Sequence, residues 1–224
     1  MKYYPVFLRI KARLCLVVGG GRVAERKVKG LLECGAKVVV VSPELTACLR
    51  ELYDERVISW QARVYHRDDI TGAILAIAAT DDPGVQDMVA ADAERHNIML
   101  NVVDVPAKCN FILPALVKRG DLAIAISTSG NSPALAKKLR HELAAQIGRE
   151  YEILNNLMGI LRPEVMARGL PQNDNEQLFG RLLTDDMLIW LRDNNWPQIK
   201  AHFESIIGVL PEALQNSLRD VIAA

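Results

Sequence analysis

The sequence has no excess of one charge, no long apolar run and no stretch typical of a secretory leader, and each absence argues against a class of protein. Lysine and arginine together number 27, as do aspartate and glutamate, which argues against a generally basic nucleic-acid or membrane binder. The longest clean apolar run, residues 73–79, is far short of the about 20 residues that a membrane helix needs. Arg9, Lys11 and Arg13 interrupt the apolar stretch that a signal peptide requires. Neither a membrane span nor a signal peptide is therefore expected.

The cysteines and histidines show none of the spacings typical of metal sites or disulfide frameworks. CxxC, HxxxH and HExxH patterns are absent, so no metal site is predicted, and the cysteines are interpreted as reduced thiols. Because reduced thiols are typical of the cytoplasm, we expect a cytoplasmic protein. Walker and GxSxG motifs are absent as well. The residues concerned are Cys15, Cys34, Cys48, Cys109, His66, His96, His141 and His202.

The first hundred residues alternate between short apolar runs and helical periodicity. Helices are predicted where apolar residues recur at helical spacing, first up to Gly35, then over 45–53 and 84–96. Alternation of strands and helices with short connections predicts an α/β fold, a Rossmann-like doubly wound parallel sheet. Its strands are predicted at residues 14–18, 38–41, 75–79 and 99–103, with a more polar strand, nearer an edge, at 57–65.

The pattern changes after residue 104. Two apolar runs, 111–117 and 122–127, flank a short polar turn and predict a hairpin. Ser132 and Pro133 are a helix start, a hydroxyl cap followed by proline, and that helix is expected to run to about residue 148. Later residues show only helical periodicity, with breaks predicted at Pro163, Pro171, Pro197 and Pro211. We therefore divide the chain into a Rossmann-like domain, a hairpin–helix region and a small all-helical domain, at 1–112, 113–148 and 149–224.

A glycine motif follows the first predicted strand and opens the first helix. The run Gly19-Gly20-Gly21-Arg22-Val23-Ala24 has the GxGxxA spacing of dinucleotide-binding loops. Gly19 permits the tight turn, Gly21 lets the backbone approach a pyrophosphate, and Ala24 allows the helix to pack closely on the sheet. The unpaired N–H groups at the helix N-terminus then face the phosphates. The motif predicts a dinucleotide site.

The tip of the second predicted strand bears on which dinucleotide is bound. An NAD site usually carries an acidic residue there, to hold the ribose 2′-OH. Here the tip is Ser42-Pro43-Glu44, so either the Glu44 side chain or the backbone around Ser42 and Pro43 has this role. The nearest cation, Arg50, lies in the next helix. The sequence therefore favours NAD over NADP.

Two further segments carry chemistry, and each has two open interpretations. Asp104 follows Asn101-Val102-Val103 at the carboxyl end of the fifth predicted strand, where doubly wound folds bind ligands. It is either a turn residue ahead of Pro106 or a general base near the nicotinamide. The hydroxyl-rich loop at 127–133 leads into a helix with Lys137, Lys138 and Arg140. It is either a carboxylate-binding loop or a capped helix with a solvated charged face.

In combination, these segments resemble one family, the NAD-dependent precorrin-2 dehydrogenase module at the N-terminus of siroheme synthases. The resemblance covers roughly residues 3–145 and implies a Rossmann domain joined to a dimerisation region and a small helical domain, and hence a homodimer. Its most specific parts are the GGGxVAxRK block and the NVVD segment. The matching segments are Pro5-Val6-Phe7-Leu8, the block from Val17 to Lys27, Ala78-Ala79-Thr80-Asp81-Asp82, Asn101-Val102-Val103-Asp104, Phe111-Ile112-Leu113-Pro114, and Ser127 through Pro133 with Leu139-Arg140.

The resemblance also implies a reaction. Oxidation of precorrin-2 to sirohydrochlorin removes a hydride and a proton; NAD⁺ takes the hydride, and Asp104 is implied as the catalytic acid/base. Some members also insert ferrous iron into sirohydrochlorin, and this stays open here. In one branch a serine of the hydroxyl loop is phosphorylated, but the matching position is Thr128, which puts that regulation in doubt. The implied cofactor contacts are Gly19, Gly20, Gly21, Arg22, Val23, Ser42, Pro43, Glu44 and Thr80.

A polycarboxylate tetrapyrrole needs a binding site with cationic and hydrogen-bonding side chains. Substrate contacts are expected from Lys27, Lys108, Ser127, Thr128, Ser129, Lys137, Lys138 and Arg140.

Two other functions remain open: a non-catalytic regulator that senses NAD(H), and a dehydrogenase of an unrelated small acid. The regulator is disfavoured because no helix with clustered basic residues follows residue 150. The small-acid dehydrogenase leaves the hydroxyl loop and the basic helix unexplained.

Overall fold

The computed structural model describes residues 2–223 of the chain. The chain divides into two compact units between Leu113 and Pro114. The hairpin and all later helices fall within the second unit. The division into three domains, with a further boundary at 148–149, therefore stays a prediction.

The first unit contains a five-stranded parallel sheet in the order β3-β2-β1-β4-β5. Its strands are β1 Leu14–Val18, β2 Lys37–Val41, β3 Ser59–Gln61, β4 Leu75–Ala78 and β5 Met99–Val102. The strand order reverses between β1 and β4, and ligands of such sheets bind in the crevice at the carboxyl ends of these strands. The predicted Rossmann-like sheet is confirmed.

The central strand β1 is buried on both faces, which is why it forms a continuous apolar run. Cys15 and Val17 pack in one core, and Leu16 and Val18 pack in the other. All four side chains are buried. A sheet covered on both faces needs no alternation of polar and apolar residues, so a short unbroken run is enough to identify such a strand.

Three helices connect the strands of this sheet: α1 Arg22–Glu33, α2 Ala47–Asp54 and α3 Pro83–Arg95. On α1, the side chains of Ala24, Val28 and Leu31 are buried, and their helical spacing is the pattern from which this helix was predicted. Short 3₁₀ turns at Arg67–Ile70 and Pro106–Lys108 were not predicted.

The second unit begins with an antiparallel hairpin, β6 Ala115–Arg119 and β7 Leu122–Ile126, followed by the helix α4 Pro133–Gln146. Five helices then enclose a separate core around completely buried residues such as Leu157 and Phe203. They are α5 Arg149–Met166, α6 Gln172–Leu182, α7 Asp185–Arg192, α8 Trp196–Ile207 and α9 Glu212–Ala223. Across residues 2–223, none of the helices has both the length and the apolar character required to cross a bilayer.

Two sequence-based expectations about these elements are wrong. The edge strand expected over 57–65 is reduced to β3, because it pairs only with β2 and that strand ends opposite Gln61. The break expected at Pro163 is absent, since this proline lies inside α5. Leu161 and Val165 on either side of it are completely buried, and their packing holds the last turns helical despite the missing N–H.

Candidate functional site

The glycine loop after β1 has two glycines that the fold itself requires and a third that it does not. Gly19 has φ of +117°, and a Cβ there would overlap the carbonyl oxygen of Ala79. A Cβ on Gly20 would overlap the carbonyl oxygen of Glu44. A Cβ on Gly21 would have no atom within 4 Å. The first two glycines therefore let neighbouring loops approach, whereas the third faces open space that a ligand can fill.

The helix that begins at this loop has an uncapped N-terminus. Gly21 is the N-cap of α1 and has no side chain with which to accept a hydrogen bond. By contrast, Thr46 caps α2 through Leu49 N–H, and Asp82 caps α3 through two backbone N–H groups. The first N–H groups of α1 have no intrahelical acceptor, and such groups bind phosphate. The residues present therefore fit a dinucleotide pyrophosphate.

A cleft of about 340 Å³ opens beside this helix end, at the carboxyl ends of β1, β4 and β5. It brings together predicted site residues from three separate segments of the chain, as the topology of a doubly wound sheet requires. The cleft is lined by Gly21, Arg22, Val23, Ala79, Thr80, Asp81, Gln86, Val103, Asp104 and Val105.

Thr80 and Gln86 form a hydrogen-bonded pair at the wall of the cleft. Gln86 lies in the first turns of α3 and is 8% exposed. Its amide nitrogen Nε2 donates to the Thr80 carbonyl oxygen at 2.8 Å. Gln86 was not predicted from the sequence. The only signal was that a polar residue lies on the side of α3 that also carries the buried Val89 and Ala93.

Asp104 lies at the mouth of the cleft in an unusual backbone conformation. It is exposed, and its φ of +59° places it in the left-handed region. The turn that carries it is tied back to β5 by Cys109, whose Sγ accepts from Val102 N–H at 3.2 Å and lies 3.4 Å from the Val105 carbonyl oxygen. The carboxylate is thus presented to the cleft on a braced turn.

A half-buried amine lies in the electrostatic field of this carboxylate. Burial lowers the pKa of Lys27, and the neighbouring Arg26 lowers it further, whereas Asp104 acts in the opposite direction. Within residues 2–223, Lys27 has no hydrogen-bond or ion-pair partner. Lys108, by contrast, pairs with Asp87 at 2.7 Å, so its charge is already partly compensated.

The tip of β2 is organised by an aromatic and a cation. Trp60 Nε1 donates to the Ser42 carbonyl oxygen at 2.9 Å, and the Arg50 guanidinium lies 4.1 Å from the centre of the Trp60 ring. Ser42 is buried, whereas Pro43 and Glu44 are exposed. The cleft lining does not include Ser42, Pro43 or Glu44, nor Gly19 and Gly20.

The other predicted substrate contacts belong to the second unit. Thr128 Oγ1 accepts from Ser132 N–H at 3.1 Å and also lies 3.1 Å from the Ser132 carbonyl oxygen, while Ser127 Oγ accepts from Ser129 N–H at 3.0 Å. Ser132 caps α4. These hydroxyls thus stabilise their own loop, as the capped-helix interpretation requires. On α4, Lys137 and Lys138 are exposed, and Arg140 Nη2 lies 3.2 Å from His141 Nε2. A role in substrate binding stays a prediction for this loop and helix.

Two families match consecutive segments of the chain. Residues 6–115 match a family described as putative NAD(P)-binding, which confirms the predicted dinucleotide-binding domain. Residues 119–146 match the sirohaem biosynthesis protein central family.

Siroheme synthases are similar over most of the chain. That of Methylococcus capsulatus is 42% identical over 74% of this chain and 35% of its own length. That of Nitrosomonas europaea is 40% identical over 97% of this chain and 44% of its own length. The chain thus spans less than half the length of these curated relatives. A solved structure, SirC, precorrin-2 dehydrogenase, is 23% identical with a TM-score of 0.73 over 99% of both chains and shares the fold.

Proposed function

The chain is similar to siroheme synthases over most of its length, and from this similarity we propose that it is an NAD-dependent dehydrogenase that oxidises precorrin-2 to sirohydrochlorin. One observation carries the proposal: an uncapped helix N-terminus and the Asp104 carboxylate line the same cleft. The helix N-terminus can bind a pyrophosphate, and the carboxylate can accept a proton. The similarity in fold to a precorrin-2 dehydrogenase supports this choice of substrate.

The chemistry requires a hydride acceptor and a proton acceptor at one place. When bound, NAD⁺ supplies hydride acceptance. The α1 N-terminus and the open backbone at Gly21 hold and orient the pyrophosphate. An Asp104 carboxylate oxygen accepts the proton that leaves precorrin-2. The positive φ of Asp104 is a conformation that aspartate adopts in turns, so its place in the lining of the cleft is the observation that supports a functional role.

The tip of β2 favours NAD over NADP. A 2′-phosphate needs a free cation, and Arg50 is stacked on Trp60. The exposed Glu44 presents a carboxylate at the same tip, which accepts from a ribose hydroxyl and repels a 2′-phosphate.

The substrate is a polycarboxylate, and Lys27 and Arg22 are the candidate cations for it in the first unit. Arg22 lines the cleft. The Lys27 amine is half-buried, lies in the field of the Asp104 carboxylate and has no hydrogen-bond or ion-pair partner within residues 2–223, so it can pair with a substrate carboxylate.

Lys137, Lys138 and Arg140 of the second unit stay predicted substrate contacts from the resemblance. Lys138 pairs with Glu142 at 3.7 Å and Lys108 pairs with Asp87 at 2.7 Å, so the charges of these two lysines are partly compensated. Insertion of ferrous iron stays a prediction from the resemblance.

The hairpin and α4 support a homodimer as the working form. Across its described length α4 has no buried residue, and Leu135, Leu139 and Leu143 recur on one face. The hairpin is a two-stranded sheet that packs against α4 and α5, yet only Val117 in it is buried. Apolar side chains that stay accessible on the hairpin and on α4 fit a face that a second copy of the chain covers. The free thiols favour a cytoplasmic location.

The experiment that tests the proposal follows NADH formation after precorrin-2 and NAD⁺ are mixed with the purified protein. Stoichiometric NADH and sirohydrochlorin are expected. Binding of NAD⁺ without turnover would instead support the sensing regulator. Turnover of an unrelated small acid in place of precorrin-2 would support the second alternative.

A further inference from the structure

Gln86 combines a fixed orientation with an acceptor that no group in the described residues uses. Only 8% of the residue is exposed, but Oε1 is not one of the buried side-chain atoms that lack a partner within residues 2–223, so this oxygen is accessible from the cleft. The Thr80 carbonyl accepts from Nε2, and because a carbonyl accepts only from a donor, the NH₂ end of the amide must face Thr80. The oxygen end is therefore the end that remains. Within residues 2–223, the amide oxygen Oε1 has no hydrogen-bond partner.

An amide held in this way presents an acceptor for which the described residues supply no donor. Water can reach this oxygen in the cleft, and a ligand donor can take the place of that water. Gln86 lines the same cleft as Gly21 and Asp104. A ligand in that cleft with an O–H or N–H group can donate a hydrogen bond to this oxygen.

The position of Gln86 in the sheet indicates which part of the ligand it meets. The adenosine half of a dinucleotide lies toward the second strand, and the pyrophosphate lies at the first helix. Gln86 is on α3, which follows β4, on the opposite side of β1 from β2. The remaining half of the ligand, the nicotinamide riboside, extends to this side and carries both ribose hydroxyls and a carboxamide N–H₂.

We propose that Gln86 is a cofactor-binding residue whose amide oxygen accepts a hydrogen bond from the nicotinamide-riboside half of the dinucleotide. This inference rests on the proposed dinucleotide site. The Thr80 carbonyl is the positioning partner, since it fixes which end of the Gln86 amide faces the ligand.

The test measures binding by calorimetry, in the absence of tetrapyrrole, with NAD⁺, ADP-ribose and ADP as three separate probes. Gln86→Met keeps the length of the side chain and removes its hydrogen bonds. We expect its affinity for NAD⁺ to fall roughly tenfold and its affinity for ADP to be unchanged. If ADP-ribose loses affinity as NAD⁺ does, a ribose hydroxyl is the donor, and if it does not, the carboxamide is the donor.

Two outcomes would overturn the inference. Unchanged NAD⁺ affinity removes Gln86 from the site, and an equal loss for all three probes shows that the substitution disturbs the cleft as a whole. Glu94→Met, at an exposed position near the end of the same helix, controls for methionine in α3. Failure of the wild-type protein to bind NAD⁺ at all would instead contradict the proposed function, so the two failures are distinguishable.

Discussion

The Glu25 carboxylate accepts a hydrogen bond from the Thr46 hydroxyl at 2.8 Å, which joins α1 to the loop that follows β2. Thr46 also donates its backbone N–H to the Gly20 carbonyl oxygen at 2.9 Å. The two contacts hold the glycine loop against the tip of β2. Glu25 occupies the second unspecified position of the GGGxVAxRK block and supports the shape of the site from outside the cleft.

The Glu25 contact predicts a pH dependence of stability. Hydrogen bonds from Lys29 and then Thr46 lower the pKa of Glu25 below its ordinary value of 4.5. A carboxyl whose pKa is lower in the folded state stabilises the protein above the unfolded value, and this stabilisation disappears as the pH falls through the folded value. Glu25→Gln should therefore be less stable than wild type at pH 7, and the difference should shrink below pH 4.5. Urea unfolding across this range measures it, and a constant difference would contradict the assignment.

The glycine loop predicts opposite outcomes at neighbouring positions. Gly21→Asp should fold normally, because its Cβ meets open space, but should lose dinucleotide binding, because the carboxylate faces the pyrophosphate. Gly20→Ala should lose about 1–3 kcal/mol of stability, because the methyl group overlaps the Glu44 carbonyl. Thermal melts and NAD⁺ titrations of both variants check this pair. Retained NAD⁺ affinity in Gly21→Asp would remove the loop from the site.

Cofactor preference tests the tip of β2. The wild-type protein should bind NAD⁺ more tightly than NADP⁺, and Glu44→Gln should narrow the difference by removing the charge that repels a 2′-phosphate. Dissociation constants for both dinucleotides, measured on both proteins, give the ratio. Equal affinities in the wild type would show that Glu44 and Arg50 have been misinterpreted.

The apolar face of α4 predicts a dimer in solution. Light scattering should give the mass of two chains, and Leu135→Glu, at a position 47% exposed, should shift the protein toward one chain. The matched control is Val209→Glu, at a position 89% exposed between α8 and α9, which should leave the dimer intact. A wild-type monomer would contradict the dimer proposal and leave the dinucleotide site unaffected.

Most of the sheet was predictable because a strand that is buried on both faces forms a short unbroken apolar run in the sequence. The strand at 14–18 was predicted with the bounds that β1 has. The edge strand was overestimated, because the length of β3 depends on where its partner ends, and a single segment carries no information about its partner. Pro163 misled for a similar reason: packing of Leu161 and Val165 outweighs a local preference.

The candidate site was predictable where a motif carries its own physics. The glycines and the uncapped helix follow from local geometry, and Asp104 follows from its place at the end of a strand. Gln86 was not predictable, since its importance arises from a hydrogen bond to Thr80, six residues away, and from a cleft that three segments build together. The hydroxyl loop was left with two interpretations, and the contacts of Thr128 and Ser132 fit the capped-helix one.

The most direct test of the whole account is the rate of precorrin-2 oxidation by Asp104→Asn, measured with NAD⁺ affinity and melting temperature on the same sample. Asparagine keeps the size of the side chain and tolerates the positive φ of this position, but it cannot accept a proton. Loss of a positioned general base costs about 10²–10⁴ in rate, or about 3–5 kcal/mol of barrier. We predict a loss of that size with unchanged NAD⁺ affinity and melting temperature. Near-normal oxidation by a well-folded Asn variant would contradict the account and leave Asp104 as a turn residue.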